Sequence, residues 1–204
     1  MTTKQKNQVL GTLAELIEKH QQDILARNKT DLDLYKGKDA AMLDRLKMND
    51  SKIAGMIAAI HHVRLLEDPI GKILYTHTRE DGLTIENQIV PFGKILIIYE
   101  SRPDVTIEAA ITAFKAGNTI LLKGGKEARH TNLYLVELWH KALAQHGLSD
   151  DKVQYLDMNR IATQQLIQNN TKKVDLIIPR GGDGLINFVL EHADVPVVVS
   201  GRGN

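Results

Sequence analysis

The sequence of 204 residues predicts an α/β fold, with a parallel sheet of about five strands, N-terminal helices and a protruding antiparallel hairpin. Three patterns support this class. Helical periodicity covers residues 1–68, strand-like alternation covers residues 72–90, and strands alternate with helices from residue 91 to residue 204. Strands joined through helices run parallel, because each crossover returns the chain to the same end of the sheet.

Apolar side chains recur every three or four positions in the first 68 residues. Residues 9–25 form one such series and are predicted to build an amphipathic helix. After a break at residues 35–39, a second series covers residues 53–66, and Asp68-Pro69 ends it because proline disfavours helix at the preceding residue. The adjacent pair His61-His62 points in two directions on such a helix, so we interpret both histidines as structural and predict no metal site.

Residues 72–90 change to a period of two. The segments 73–76 and 83–90 flank Glu80-Asp81-Gly82, which is typical of the turn of an antiparallel hairpin. A hairpin that stands apart from the main sheet has an edge that must be covered. We therefore expect it to contact another copy of the chain in a homo-oligomer.

Five apolar segments of strand length follow, at residues 94–98, 119–123, 153–156, 174–178 and 195–199. They lack clean alternation, as expected for strands that are buried on both faces. The helix predicted at residues 105–115 has Asp104 or Thr106 available as its N-cap and Gly117 placed to end it.

Ligands bind beyond the carboxyl ends of parallel strands, and three of these ends are unusual. They carry Glu100-Ser101-Arg102-Pro103, Lys123-Gly124-Gly125-Lys126-Glu127 and Pro179-Arg180-Gly181-Gly182-Asp183-Gly184. Taken alone, the glycine clusters favour ordinary turns over phosphate sites, because glycine so often serves in turns. Four cations at one sheet edge reverse this preference, because they need an anion such as a dinucleotide or a phosphorylated substrate: Arg102, Lys123, Lys126 and Arg180.

The composition narrows the function further. A net charge of +1, from 26 basic and 25 acidic residues, gives no overall attraction to nucleic acid or to a membrane surface. Short apolar runs and a polar start without a signal-peptide core favour a cytoplasmic protein. Because the sequence contains no cysteine, it has no disulfide, no thiolate metal ligand and no thiol nucleophile.

The strand-end motifs resemble those of gamma-glutamyl phosphate reductases, also called glutamate-5-semialdehyde dehydrogenases, a family of the aldehyde dehydrogenase superfamily. The resemblance covers essentially the whole chain, and its most specific segments are residues 90–93, 98–103, 115–118, 123–128 and 175–182. It implies an aldehyde dehydrogenase-like, Rossmann-like core. It also implies NADPH-dependent reduction of L-glutamyl 5-phosphate to glutamate 5-semialdehyde in proline biosynthesis, with functional coupling to glutamate 5-kinase.

The resemblance further implies roles for individual residues. Ser101 stands where related dehydrogenases place an asparagine that stabilises the oxyanion, so the resemblance implies this donor role or a substrate contact for Ser101. Arg102 is similar to what a substrate phosphate or carboxylate needs. Lys123 matches a lysine that reaches the adenosine ribose. Lys126 replaces the glutamate of NAD-preferring relatives, and a cation there favours the 2′-phosphate of NADPH. The other implied cofactor contacts are Tyr99, Gly125, Pro179, Arg180, Gly181 and Gly182.

The sequence departs from this family in one respect. The reductase mechanism needs a cysteine thiolate that displaces phosphate, yet the chain has no cysteine and ends at Asn204, where family members continue into a catalytic domain. We therefore interpret residues 1–204 as an NADP(H)-binding part that is inactive alone. Two alternatives stay open: a stand-alone nucleotide-binding or regulatory module, and the reductase portion of a fused kinase–reductase. Met1 beginning directly on the first helix argues against the second.

Overall fold

The computed structural model describes residues 1–199, and the last five residues of the predicted core, 200–204, lie outside this part. The helices are α1 Thr3–Lys19, α2 Gln21–Leu34, α3 Ala40–Leu46, α4 Asp50–Leu65, α5 Val105–Lys115, α6 Arg129–Gln145, α7 Arg160–Asn169 and α8 Asp183–His192. The strands are β1 Ile73–Thr78, β2 Thr84–Gln88, β3 Lys94–Tyr99, β4 Thr119–Lys123, β5 Val153–Tyr155 and β6 Leu176–Arg180. The predicted α/β class is confirmed. No helix within residues 1–199 combines the length and the apolar character needed to cross a membrane.

The first predicted helix is divided in two at His20. Thr2 and Gln5 form a capping box that starts α1, and His20 leaves the helical conformation at φ −105° and ψ 23°. Its Nδ1 lies 2.9 Å from Asp23 Oδ2 and 3.1 Å from the Tyr134 hydroxyl on α6. The prediction of one continuous helix over residues 9–25 was wrong. The apolar spacing continues unchanged past His20, and the Tyr134 contact at the break comes from α6, which the local sequence does not show.

Four strands form the parallel sheet in the order β5-β4-β3-β6. Side chains of β3 alternate between two cores: Ile95 and Ile97 belong to the core that contains residues of α1, α2, α4, α5 and α6, whereas Leu96 and Ile98 belong to the core that contains residues of α7 and α8. Both faces of β3 are therefore buried, which explains its unbroken apolar sequence. The strand order reverses next to β3, since β4 and β5 lie on one side of it and β6 on the other.

The fifth predicted strand, residues 195–199, is reduced to one parallel bridge between Val197 and Ile177. Ile177 N–H donates to Pro196 O at 3.0 Å, and Val198 N–H donates to Ile177 O at 3.0 Å. Pro196 has no N–H to add to this ladder. Within the described residues the sheet therefore has four regular strands and one bridged segment at the edge beyond β6.

Helix α6 begins at Arg129, and its N-terminal cap comes from another helix. No side chain at its own N-cap position accepts a hydrogen bond. Instead, Asp31 on α2 is buried and accepts from His130 N–H at 3.0 Å and from Thr131 N–H at 2.8 Å. A carboxylate at this position satisfies free amides and favours the positive end of the helix dipole.

The predicted hairpin is confirmed as β1 and β2, which pair antiparallel. Every residue of both strands is exposed, including Leu74, Tyr75 and Ile85. Apolar side chains on two uncovered faces are typical of a surface that packs against a partner. The oligomer contact stays a prediction.

A buried ion pair fastens the N-terminal helices to the core. Lys6 Nζ donates to both Asp68 carboxylate oxygens at 2.9 and 2.8 Å and to Lys115 O, the end of α5, at 3.0 Å. The side chains of Lys6 and Asp68 are only 2% and 9% exposed. Burial by itself raises the pKa of Asp68, but hydrogen bonds from Lys6 and Thr3 hold it below its usual value.

We expect Asp68→Asn to destabilise the chain by about 3 kcal/mol at pH 7, because it leaves the Lys6 ammonium buried without its counter-charge. Asp68 has a lower pKa in the folded than in the unfolded chain, so its contribution exists above the unfolded pKa and is lost as the pH falls through the folded pKa. Urea unfolding at pH 7 and near pH 3 measures both effects.

Glu67→Gln is the matched control for this prediction. Glu67 is the adjacent carboxylate, 80% exposed, and it pairs with Lys72 at 3.6 Å. Its loss costs less than about 0.5 kcal/mol, because solvent screens such a pair. Equal losses of unfolding free energy from the two variants would show that the buried Lys6–Asp68 pair stabilises the chain no more than an exposed pair does.

Candidate functional site

A cleft of about 750 Å³ lies at the carboxyl ends of the strands. The ends of β3 and β4 form its floor, and residues from the N-terminal parts of α7 and α8 form its walls. A cavity of this size suits a small molecule or cofactor, and it lies where open parallel sheets bind ligands.

Five of the residues predicted to bind the cofactor line this cleft: Tyr99, Lys123, Gly125, Lys126 and Gly182. They come from the ends of β3 and β4 and from the turn after β6, which the sheet register brings side by side. Ile98 is paired with Lys123, and Tyr99 is paired with Arg180. That the three ends share one edge of the sheet follows from their parallel direction, whereas the pairing of β6 with β3 is set by the sheet order.

The other predicted site residues lie outside the cleft lining. Ser101 is 1% exposed, and its Oγ has no hydrogen-bond partner among the described residues. Arg102 is exposed at the end of the strand. Pro179 and Arg180 belong to β6 itself, and Gly181 packs against the side chain of Glu100. Of the four cations expected to converge, only Lys123 and Lys126 therefore reach the wall.

Lys123 is the half-buried cation of the cleft. Its Nζ donates to Gly124 O at 2.5 Å, within its own turn. Burial lowers the pKa of Lys123, and the nearby carboxylates Asp157 and Glu127 partly oppose this shift. Lys126 is exposed, in a short 3-10 turn that Gly125 begins. One lysine is therefore fixed by its surroundings, and the other is free to meet a ligand.

A buried chain of polar side chains supports the turn after β4. Thr106 Oγ1 donates to Asn132 Oδ1 at 2.9 Å, so the Tyr99 hydroxyl, 2.7 Å away, donates to Thr106. Asn132 Nδ2 then donates to the Tyr155 hydroxyl at 3.4 Å. Burial raises the pKa of Tyr99, which keeps the phenol neutral. The chain links β3, α5, α6 and β5 beneath Gly124.

Neither predicted N-cap of α5 acts as one. Asp104 occupies the N-cap position, but its side chain accepts no hydrogen bond from the helix, and its Oδ1 is buried without a partner among the described residues. Thr106 lies within the first turn, and its hydroxyl belongs to the buried chain. The prediction of a Thr106 cap was wrong because the local sequence is the same whether a threonine near a helix start caps the helix or bonds to buried side chains.

The sequence interpretation missed two parts of the cleft. Asn159 and Arg160, at the start of α7, follow the end of β5, so the rule that located the other strand ends also applies to them. Leu185 and Phe188 on α8 carry only the periodicity of core residues, which does not separate a cleft wall from a packed interior.

Two helix N-termini point toward the cleft. At α7, Asn159 Oδ1 accepts from Ala162 N–H at 2.9 Å. At α8, Gly182 is the N-cap and contributes no side-chain cap. The first amides of α8 therefore lie beside Gly182 and Gly184 in the cleft lining, with the positive end of the helix dipole.

No family model matches the chain, but comparisons with individual proteins are informative. The chain is 40% identical to gamma-glutamyl phosphate reductase 2 of Bacillus licheniformis over 206 residues, which cover 100% of the chain and 48% of the relative. It is 42% identical to the gamma-glutamyl phosphate reductase of Clostridium beijerinckii over 207 residues, covering 100% of the chain and 50% of the relative. The chain thus spans about half the length of the curated relatives it matches.

Solved structures agree with these relatives. The crystal structure of gamma-glutamyl phosphate reductase from Thermotoga maritima has a TM-score of 0.94 at 40% identity and covers 100% of the chain, which in turn covers 50% of that protein. A probable aldehyde dehydrogenase from Listeria monocytogenes has a TM-score of 0.76 at 15% identity, covering 100% of the chain and 42% of that protein, which shows the fold alone. The resemblance carried by the sequence motifs and the aldehyde dehydrogenase-like fold are both confirmed.

We expect Gly124→Ala to destabilise the chain by about 2 kcal/mol through steric overlap. A Cβ at this position would overlap the buried Asn132 Nδ2 and lie 3.0 Å from the Tyr99 ring. Denaturant unfolding measures the loss. Asn132→Ala removes one of the two obstacles but also breaks the buried polar chain, so the double variant should lose less stability than the sum of the two single losses.

Gly55→Ala is the control for this substitution. Gly55 is exposed within α4, and a Cβ at this position would have open space around it, with no neighbouring atom within 4 Å. Alanine there stabilises the helix by up to about 1 kcal/mol. A Gly124→Ala variant as stable as Gly55→Ala would show that the turn is not packed against the polar chain.

Proposed function

We propose that the chain is the nucleotide-binding part of a gamma-glutamyl phosphate reductase, which reduces L-glutamyl 5-phosphate to glutamate 5-semialdehyde and phosphate with NADPH. The cleft at the strand ends carries this proposal, because it combines two lysines, a glycine turn and a helix N-terminus. The gamma-glutamyl phosphate reductases that match the whole chain support the choice of substrate.

The cleft residues fit a dinucleotide phosphate. When bound, NADPH supplies the hydride for the reduction. Lys126 and Lys123 would hold the 2′-phosphate and ribose of the adenosine half, since two ammonium groups suit a doubly charged phosphate and a glutamate in place of Lys126 would repel it. Gly125 and Gly182 leave space for the backbone to approach the ligand, and the first amides of α8 would receive the pyrophosphate.

The remaining predicted roles are proposals on the same basis. Arg102 is exposed at the end of β3, so its guanidinium is available to bind the phosphate or carboxylate of the substrate. Ser101 Oγ is a free donor, as an oxyanion-stabilising role requires. Because Ser101 is buried next to Gly125, this role requires the Gly124-Gly125 turn to shift.

The 204 residues contain no cysteine, so the thiol used in the reduction would lie outside them. Their own contribution is to bind and orient the nucleotide and to present Arg102 to the substrate. We also propose that the exposed apolar hairpin joins copies of the chain in a homo-oligomer, that the enzyme is cytoplasmic, and that it works together with glutamate 5-kinase.

NADPH is expected to bind more tightly than NADH, and Lys126→Glu should narrow the ratio of the two affinities by about ten-fold, the value of one charge-assisted contact. Isothermal titration calorimetry of both nucleotides gives the ratio. Lys38→Glu, the same change on an exposed residue of the α2–α3 connection, controls for net charge. An unchanged ratio in the Lys126 variant would mean that another residue reads the 2′-phosphate.

Nucleotide affinity should also fall as the pH rises, at a pH below the ordinary lysine pKa of about 10.4. The pKa of Lys123 is lowered by burial, so its attraction for phosphate is present below that pKa and disappears as the pH rises through it. Calorimetry over a series of pH values measures the fall. Lys123→Arg should remove it, because a guanidinium stays charged; an equal fall in this variant would exclude Lys123 as its source.

A further inference from the structure

Glu100 directly follows β3 and extends into the wall of the cleft. Its Cδ and Oε1 lie 2.9 and 3.0 Å from the position that a Cβ on Gly181 would occupy, and Oε1 lies 3.8 Å from the equivalent position on Gly182. The side chain therefore spans from the end of β3 to the turn that leads into α8. No hydrogen bond or ion pair to its carboxylate comes from another residue of the described part of the chain.

A carboxylate only accepts hydrogen bonds, so a ligand beside Glu100 must donate them. Glu100 stands where the strand order reverses, between β3 and β6, and dinucleotides cross a sheet at this point. Phosphates are excluded from its oxygens by like-charge repulsion. The adenosine ribose is assigned to Lys123 and Lys126 at the end of β4, which β3 separates from the β6 turn.

By elimination, we propose that Glu100 accepts hydrogen bonds from the two hydroxyls of the nicotinamide ribose. This inference rests on the proposed function, since it requires a nicotinamide dinucleotide in the cleft. The α8 amides beside Gly182 would hold the pyrophosphate, and the Glu100 carboxylate next to that turn would then meet the ribose on the nicotinamide side. Glu100 thus orients the reactive half of the cofactor, whereas the lysines select its adenosine half.

The test compares NADPH with 2′,5′-ADP, which carries the phosphorylated adenosine ribose but no nicotinamide ribose. Calorimetry gives the dissociation constants of both ligands for the unsubstituted chain and for Glu100→Gln. We expect the ratio of NADPH to 2′,5′-ADP dissociation constants to rise about ten-fold or more in the variant, as for loss of a charged acceptor. Glu108→Gln, on the exposed face of α5, should leave the ratio unchanged.

Removal of the Glu100 carboxylate also weakens its repulsion of the ligand phosphates. Both ligands carry phosphates, so this effect largely cancels in the ratio of their dissociation constants. An unchanged or lowered ratio would overturn the role of Glu100 and leave the proposed function intact. If the unsubstituted chain bound neither ligand, the proposed function would fall, and this inference with it.

A third ligand distinguishes the ribose from the nicotinamide amide, which also donates. The 3-acetylpyridine analogue of NADP keeps the ribose but has no amide N–H. An equal loss of affinity for this analogue in Glu100→Gln supports the ribose, whereas a loss confined to the amide-bearing nucleotide assigns Glu100 to the amide and overturns the proposal. Glu100→Asp keeps the charge but shortens the side chain by one methylene, so it should also raise the ratio of NADPH to 2′,5′-ADP dissociation constants. This second variant keeps the test valid if Glu100→Gln does not fold.

Discussion

The cleft depends on the buried hydrogen-bond chain that joins Tyr99, Thr106, Asn132 and Tyr155. Each of these side chains comes from a different element, so the chain is complete only when β3, α5, α6 and β5 are all in place. Leaving one of its members unpaired would cost roughly 1–3 kcal/mol, because water does not replace the lost partner in the interior. Gly124 lies directly on this support, and the positions of Lys123 and Lys126 follow from it.

Buried ionic groups join the N-terminal helices α1 and α2 to helices α5 and α6 beside the sheet, and they restrict how these helices can pack. Lys6 connects α1, Asp68 and the end of α5, while Asp31 connects α2 with the start of α6. Both acids are nearly inaccessible to solvent. Buried charges are costly unless they are fully paired, so these contacts fix the angle of the N-terminal helices against α5 and α6 more strictly than apolar packing alone. They thereby hold Thr106 and Asn132 where the support of the cleft needs them.

Charge is distributed unevenly along the cleft. Lys123 and Lys126 stand at the end of β4, whereas the Glu100 carboxylate stands at the β3–β6 side, next to the first amides of α8. A ligand with a phosphate at one end and hydroxyl donors at the other matches this sequence of groups. The same arrangement disfavours a simple polyanion, because Glu100 would repel its second charged end.

Local sequence patterns were sufficient to predict the alternation of strands and helices, the hairpin, and the glycine and lysine content of the strand ends, because these follow from periods and turn chemistry within a few residues. Which of those residues share the cleft depends on tertiary contacts. Ser101 and Lys123 look equivalent as strand-end residues, yet one is covered by the turn after β4 and the other reaches the wall. The break at His20 and the cap of α6 likewise depend on partners more than 90 residues away, Tyr134 and Asp31. Local patterns do not encode such contacts, since they arise only when the sheet register brings distant segments together.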